Sequence, residues 1–176
     1  MIDALQDFTT SLPSFLQWFG VMLVAAIPFI DSYFGAVIGV LIGLPTALAI
    51  GVAVVGNVIS MLIFVMTAHG VRGKVVAGKA AAARGAAVAG SDSGSDAGEA
   101  PVESPRREKI RRAFDKYGVA GVSLVGPAIL PSQFTSAAMV SFGANRNAVI
   151  FWQIISIVLW GTVFGVLATL GVSLSR

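Results

Sequence analysis

Few residues in this chain are equipped for chemistry, and they stand far apart. Asp31 is the sharpest of them: no other acidic residue lies between Asp7 and Asp92, and it interrupts a long apolar run. A carboxylate at bilayer depth costs at least a few kcal/mol, so it faces a cavity or a partner. There it can exchange a proton or hold a cation. The plainer alternative is a shallow, wet position where Asp31 caps the helix that follows, since Asp is a good N-cap. Ser32 adjoins it, and Ser132, Gln133 and Thr135 form a second polar break further on. Helix N-termini at such breaks offer free N–H groups to an anion. Equally, these side chains serve to satisfy backbone that cannot be left bare in lipid. Asp31, Ser32, Ser132, Gln133 and Thr135 are thus the candidate substrate-binding residues. Asn57 and Gln153 sit inside apolar stretches, where they bond between helices or line the cavity, the first being the simpler role.

The rest of the inventory argues against catalysis. There are no cysteines, which removes thiolate metal sites and cysteine nucleophiles, and His69 is the single histidine. No Ser-His-Asp set, paired carboxylate or phosphate-binding loop appears within the apolar blocks. The expectation is no enzyme, no cofactor and no metal.

The elements that must position these residues follow from composition. Of 176 residues, 56% are hydrophobic and 12% charged, with a mean hydropathy of +0.84. Soluble domains carry about 25% charged residues, so this chain cannot clothe a water-facing surface. It reads as an all-α integral membrane protein. The net charge of +3 is concentrated: no Lys or Arg precedes Arg72, and ten fall between Arg72 and Lys116. Lys and Arg gather on the cytoplasmic side of membrane proteins, which accounts for this basic region without nucleic acid.

Residues 15–30 and 33–44 are apolar arms around Pro28 and Asp31, followed by an uncharged stretch over 45–68. That stretch has 24 residues, enough to cross a hydrocarbon core of about 30 Å. Residues 1–71 form the first membrane repeat. Residues 72–104 are rich in Ala, Gly and Ser and predict a flexible linker, transiently helical in its Ala-rich part. Over 105–117, Ile110, Ala113, Phe114 and Tyr117 share one helix face, with Arg106, Arg107, Lys109, Arg111 and Arg112 around them. Such a basic amphipathic helix lies on anionic lipid headgroups. The second repeat, 118–176, has arms over 119–142 broken by Pro127 and Pro131, then a span over 148–171. Gly35, Gly39 and Gly43, and likewise Gly161 and Gly165, are spaced for close helix packing, within the chain or along a homodimer seam.

The two repeats match at an offset of 100 residues: Ser32 with Ser132, Phe34 with Phe134, Val40 with Val140, Gly43 with Gly143, Ile50 with Ile150 and Val58 with Val158. Two topologies fit. In one, 15–44 and 119–142 are re-entrant hairpins, the halves are inverted and both termini lie outside. In the other, every broken segment crosses and both termini lie inside. The first suits Arg146 and the base-free N-terminus better. Its arm 33–44, 12 residues or about 18 Å long, is also short for a crossing.

Ala26-Ile27-Pro28 and the run Gly126-Pro127, Pro131, Phe134, Gly143, Arg146, Trp160, Gly165 resemble the small multi-drug export protein family, itself similar to the DedA/VTT membrane proteins. The resemblance covers residues 20–72 and 108–170. It implies two hairpins facing each other across the membrane and a role in transport or lipid translocation. DedA-type proteins carry arginines where this chain has Gly126 and Gln133, and the export family an acidic residue and an arginine where it has Leu23-Val24-Ala25. The expected protein is therefore a small transporter of the bacterial inner membrane with residues 72–117 cytoplasmic, moving a lipophilic cation or a lipid-type substrate. The alternative is an accessory subunit of a larger membrane complex.

Overall fold

The computed structural model describes residues 2–89, 105–128 and 130–175. Among them the chain is all-helical: α1 (Ile2–Ser11), α2 (Gln17–Ala25), α3 (Asp31–Leu41), α4 (Thr46–Ala89), α5 (Pro105–Val125), α6 (Ser132–Phe142) and α7 (Arg146–Leu174). Single turns at Ser14–Leu16 and Gly126–Ala128 complete the path.

Two stretches are long and apolar enough to cross a membrane, Thr46–Val75 of α4 and Arg146–Leu174 of α7. A third exists if Ala4–Ser11 and Ser14–Ala25, bent by 118°, count as one span. The outward faces of both long helices are apolar, with Val55, Ile59 and Ile63 exposed on α4 and Phe151, Leu159 and Val163 on α7. A continuous apolar surface of this kind suits hydrocarbon and not water. The two helices run antiparallel. Thr46 and Thr169 share a 2.7 Å hydrogen bond at one end, and at the other the Arg146 guanidinium reaches the Met66 sulfur at 4.0 Å.

Each long helix is preceded by a short one that ends the same way. Gly43 (φ +90°) and Gly143 (φ +109°) adopt the left-handed conformation that stops α3 and α6. The Leu44 N–H donates to Gly39 O and the Gly43 N–H to Val40 O, both at 3.0 Å. The Ala144 N–H to Met139 O and the Gly143 N–H to Val140 O repeat this at 3.0 and 3.1 Å. Both are glycine C-caps that satisfy the last carbonyls of a helix. Asn145 then caps α7, its side chain accepting from the Asn147 and Ala148 N–H groups at 2.9 and 3.3 Å. Gly43 is therefore a cap and not a packing residue, because a Cβ there would meet nothing within 4 Å. Gly43→Ala is expected to cost about 1 kcal/mol from backbone strain alone, read as a lower unfolding midpoint in detergent.

The other four glycines lie at helix contacts within the chain. A Cβ on Gly35 would stand 2.6 Å from Ala25 Cβ, and one on Gly39 2.7 Å from Ala49 Cβ. Gly161 faces Ser32 and Val54, and Gly165 faces Ile50 and Ala36. Small residues let α3 nest between α2, α4 and α7. The remaining core, around Met61, Val65, Met139, Val140, Val149 and Ile157, joins α4, α6 and α7.

Three expectations change. α4 does not stop at residue 68 but runs to Ala89, so residues 72–89 are helix and not loose linker. The run Ala80 to Ala83 and the alanines after it explain this, since alanine is the best helix former. Residues 90–104 lie outside the described residues. Second, α5 breaks at Gly118 (φ +66°), at the expected boundary between 105–117 and 119–125, but its apolar face is not the one expected. Of its supposed apolar face, Phe114 packs on the core whereas Tyr117 is 60% exposed. Arg112 is exposed, and the side chains of Arg106, Arg107, Lys109 and Arg111 lie outside the described part of the structure. Third, α1 was not anticipated; it folds back on α2, where Gly20 meets Leu12 and Thr9.

Candidate functional site

The N-termini of α3 and α6 meet between α4 and α7. α2 ends at Ala25, and the chain turns through Pro28 with the Ile30 N–H donating to Ile27 O at 3.1 Å. Two non-glycine residues in this turn are left-handed, Phe29 (φ +78°) and Asp31 (φ +52°). Each such conformation costs about 1–3 kcal/mol and persists where the surroundings impose it. The matching turn before α6 holds Pro127, with the Leu130 N–H donating to Gly126 O at 2.8 Å, and ends at Pro131, whose extended backbone (φ −53°, ψ 142°) precedes Ser132.

Asp31, 1% exposed, is the centre. One carboxylate oxygen accepts from the Ser132 hydroxyl at 2.8 Å and the other from the Ser132 backbone N–H at 3.2 Å. The side-chain amides of Asn57 and Gln133 stand beside the carboxylate. Asn57 Oδ1 accepts from Gln133 Nε2 at 2.8 Å and lies 3.2 Å from the Ser132 hydroxyl. That hydroxyl has one proton and three acceptors in reach, Gln133 Oε1 being the third at 3.4 Å. The site can thus shift between bonding patterns without moving its backbone.

Asp31 therefore does not cap its own helix. Ile30 holds the N-cap position of α3, and the carboxylate instead caps α6, in the other half of the chain. Negative charge at a helix N-terminus is favourable. The charge, however, is met by neutral donors alone in the contacts described, and the exposed Arg72 and the Arg146 guanidinium bond elsewhere, Arg72 to Val140 O at 3.4 Å and Arg146 to Met66.

Of the residues expected from sequence, the structure gathers Asp31, Ser132 and Gln133. Ser32 and Thr135 are buried but turned to backbone: Ser32 donates to Ile157 O at 2.8 Å, and Thr135 donates to Pro131 O at 3.1 Å, its methyl against Gly126. Their role is to fasten the breaks. Asn57, for which the sequence favours helix packing over lining the cavity, is a full member of the cluster. The signal available was its depth in an uncharged span. Gln153, the amide inside α7, is fully buried with both amide atoms unpaired. Phe29 and Phe64 close on Phe134 with ring centroids at 5.7 and 5.5 Å, an apolar flank beside the cluster. Trp160 donates from its ring N–H to Leu124 O at 2.9 Å and pins α7 to α5.

Such a set of one carboxylate, two amides and a hydroxyl offers oxygen acceptors and neutral donors. Among the described residues no group of three or more His, Cys, Asp or Glu is placed to hold a metal. What the fold and cluster define is an all-helical chain with two or three helices able to cross a membrane and one buried acidic polar centre. No protein-family model, curated protein or solved structure matches the chain.

Proposed function

We propose that the chain is a small membrane transporter, of the DedA-like or small multi-drug export kind, that carries a lipophilic cation past Asp31. The observation that carries this is where the carboxylate lies. Asn57 is 11 residues from Thr46 and 9 from Met66 along α4, and Ile157 is 11 from Arg146 along α7. At 1.5 Å per residue Asn57 is about 16 Å from the level of Thr46 and Ile157 about 16 Å from the level of Arg146 at the opposite end of the antiparallel pair, which places both deep in a core of about 30 Å. A lone carboxylate there, with neutral partners, suits a cargo that brings a positive charge. A phosphate headgroup would face an α6 N-terminus already occupied by Asp31. The lipid-type substrate is the weaker fit for that reason.

The arrangement that supports this reading is two inverted repeats. α2 and α3 form one re-entrant hairpin, and the part of α5 after Gly118 forms the other with α6. At the offset of 100 the glycine caps recur, and Ser32 and Ser132 each reach the matching position of the opposite long helix, Ser32 the Ile157 carbonyl and Ser132 the Asn57 side-chain oxygen. Interrupted helices meeting at the midplane mark substrate sites in repeat-built transporters. The Arg72 and Arg146 end would face the cytoplasm of a bacterial inner membrane, following the basic residues, with both termini outside.

Liposomes holding the purified chain should take up a fluorescent lipophilic cation such as ethidium faster than protein-free liposomes. Reporters fused to each terminus should be active outside only. No uptake, with stable co-purification in a larger complex, would favour the accessory-subunit reading. Both termini inside would mean four crossings and remove the midplane site.

A further inference from the structure

The two ends of the α4–α7 pair are fastened differently. At one end Thr46 and Thr169 bond hydroxyl to hydroxyl at 2.7 Å. At the offset of 100 residues Thr46 corresponds to Arg146 and Thr169 to His69, so these two are the matching pair at the other end. No bond joins them. The Arg146 guanidinium reaches the Met66 sulfur at 4.0 Å, and His69 is exposed. Further along α4, Arg72 leans across to the second half. It donates to Val140 O at 3.4 Å and lies against Gly143, where a Cβ would stand 3.1 Å from its Nη2. Met66, His69 and Arg72 follow one another at intervals of three residues, a spacing at which helix side chains are neighbours. Arg146 and Arg72 therefore bracket the turn over 143–145, with His69 between them along α4.

This positive charge has no counterpart nearby in the chain. Neither α4 nor residues 132–174 contain an acidic residue. Arg146 opens α7, where the helix end is itself the positive pole and a cation is disfavoured. Neither guanidinium has a carboxylate partner among the described residues. A guanidinium presents a fork of N–H donors that fits two oxygens of a phosphate. An anion of that kind, set between Arg146, His69 and Arg72, would join the two halves here as the hydroxyl pair does at the far end.

Depth selects its source. Met66 is 20 residues from Thr46 along α4, and Arg72 is 26. At 1.5 Å per residue these are about 30 and 39 Å. With Thr46 at one edge of a hydrocarbon core of about 30 Å, Met66 marks the other edge and Arg72 the headgroup layer beyond it.

We propose that Arg72, Arg146 and His69 form a docking site for the phosphate of an anionic phospholipid headgroup, which ties α4 to the turn between α6 and α7. Its residues belong neither to the basic helix over 105–117 nor to the Asp31 cluster, and it stands independently of the transport reading.

The full chain in maltoside micelles is to be heated with added phosphatidylglycerol, with zwitterionic phosphatidylcholine, and with inorganic phosphate. A ligand that binds only the folded state stabilises it, and phosphatidylglycerol is expected to raise the unfolding midpoint by about 5 °C. The other two should leave the midpoint nearly unchanged. Arg72→Gln and Arg146→Gln should each lose at least half of the rise, and the double variant nearly all of it. Lys109→Gln combined with Arg111→Gln should keep it. Thr46→Val, which breaks the tie at the far end, should lower the midpoint without lipid yet keep the full rise, so general destabilisation is told apart from loss of the site. No rise in the wild type, or an undiminished rise in the Arg72 and Arg146 double variant, would overturn the site. An equal rise with phosphatidylcholine or with inorganic phosphate would overturn the anionic headgroup as its ligand.

Discussion

Asp31→Asn is expected to reduce cation uptake by about 100-fold or more, equal to roughly 3 kcal/mol at about 1.4 kcal/mol per decade, with folded yield unchanged. The amide has the same shape: its oxygen can accept from the Ser132 N–H in place of the carboxylate oxygen now at 3.2 Å, while its NH2 donates to the Ser132 hydroxyl oxygen, whose proton turns to Asn57 Oδ1. The cap on α6 survives; the charge does not. Asp31→Leu removes both and should lower the unfolding midpoint as well as uptake. Measured side by side, the pair separates the electrostatic role of the group from its structural one. Full uptake by Asp31→Asn would take this residue out of the mechanism.

A second large effect is expected at Gly56. A Cβ there would collide with the Met22 backbone oxygen and lie 2.9 Å from the Met22 carbonyl carbon. Backbone cannot swing aside as a side chain can, so α2 must lift from α4 along its length. Overpacking of this kind costs about 1–3 kcal/mol, and Gly56→Ala should lie at the upper end. Gly51→Ala, on the same helix with nothing within 4 Å of the new methyl, should instead stabilise by about 0.5–1 kcal/mol, the helix-interior difference between glycine and alanine. Thermal unfolding in detergent reads both. Equal midpoints for the two variants would show that α2 does not rest on α4 as described.

Much of the architecture was legible because apolar length and interruption are one-dimensional properties. The two long helices, the breaks at Pro28 and Pro131 and the turn at Gly143 can all be read from residue order. Where α4 ends could not, because composition marks residues 72–89 as low in large apolar side chains while alanine propensity keeps them helical. α1 escaped notice for a related reason: with Asp3 and Asp7 and a mixed polar face it carries no span signal, and it is placed by contact with Gly20. In the site, Asp31, Ser132 and Gln133 were legible as polar groups at breaks. Asn57 was not, since its role comes from the depth at which α4 passes the other breaks. Nor could Ser32 and Thr135 be told from Ser132, because which way a hydroxyl turns depends on whether a carbonyl such as that of Ile157 stands beside it. Gly43 and Gly39 look alike in a GxxxG pattern; only the positive φ at Gly43 separates a helix stop from a helix contact.

The bond from Asp31 to the start of α6 also has a bearing on how the chain is made. Residues 17–75 hold the acid, and residues 119–174 hold the backbone N–H and hydroxyl that accommodate it. In the proposed membrane arrangement the first half leaves the ribosome with an unmet charge at mid-bilayer, and it stays so until the second half arrives. Biogenesis then has an obligatory waiting period, during which the first half is a natural client for an insertase or a target for membrane proteases. The halves are not two modules placed side by side but a single unit of assembly, completed by its last segment.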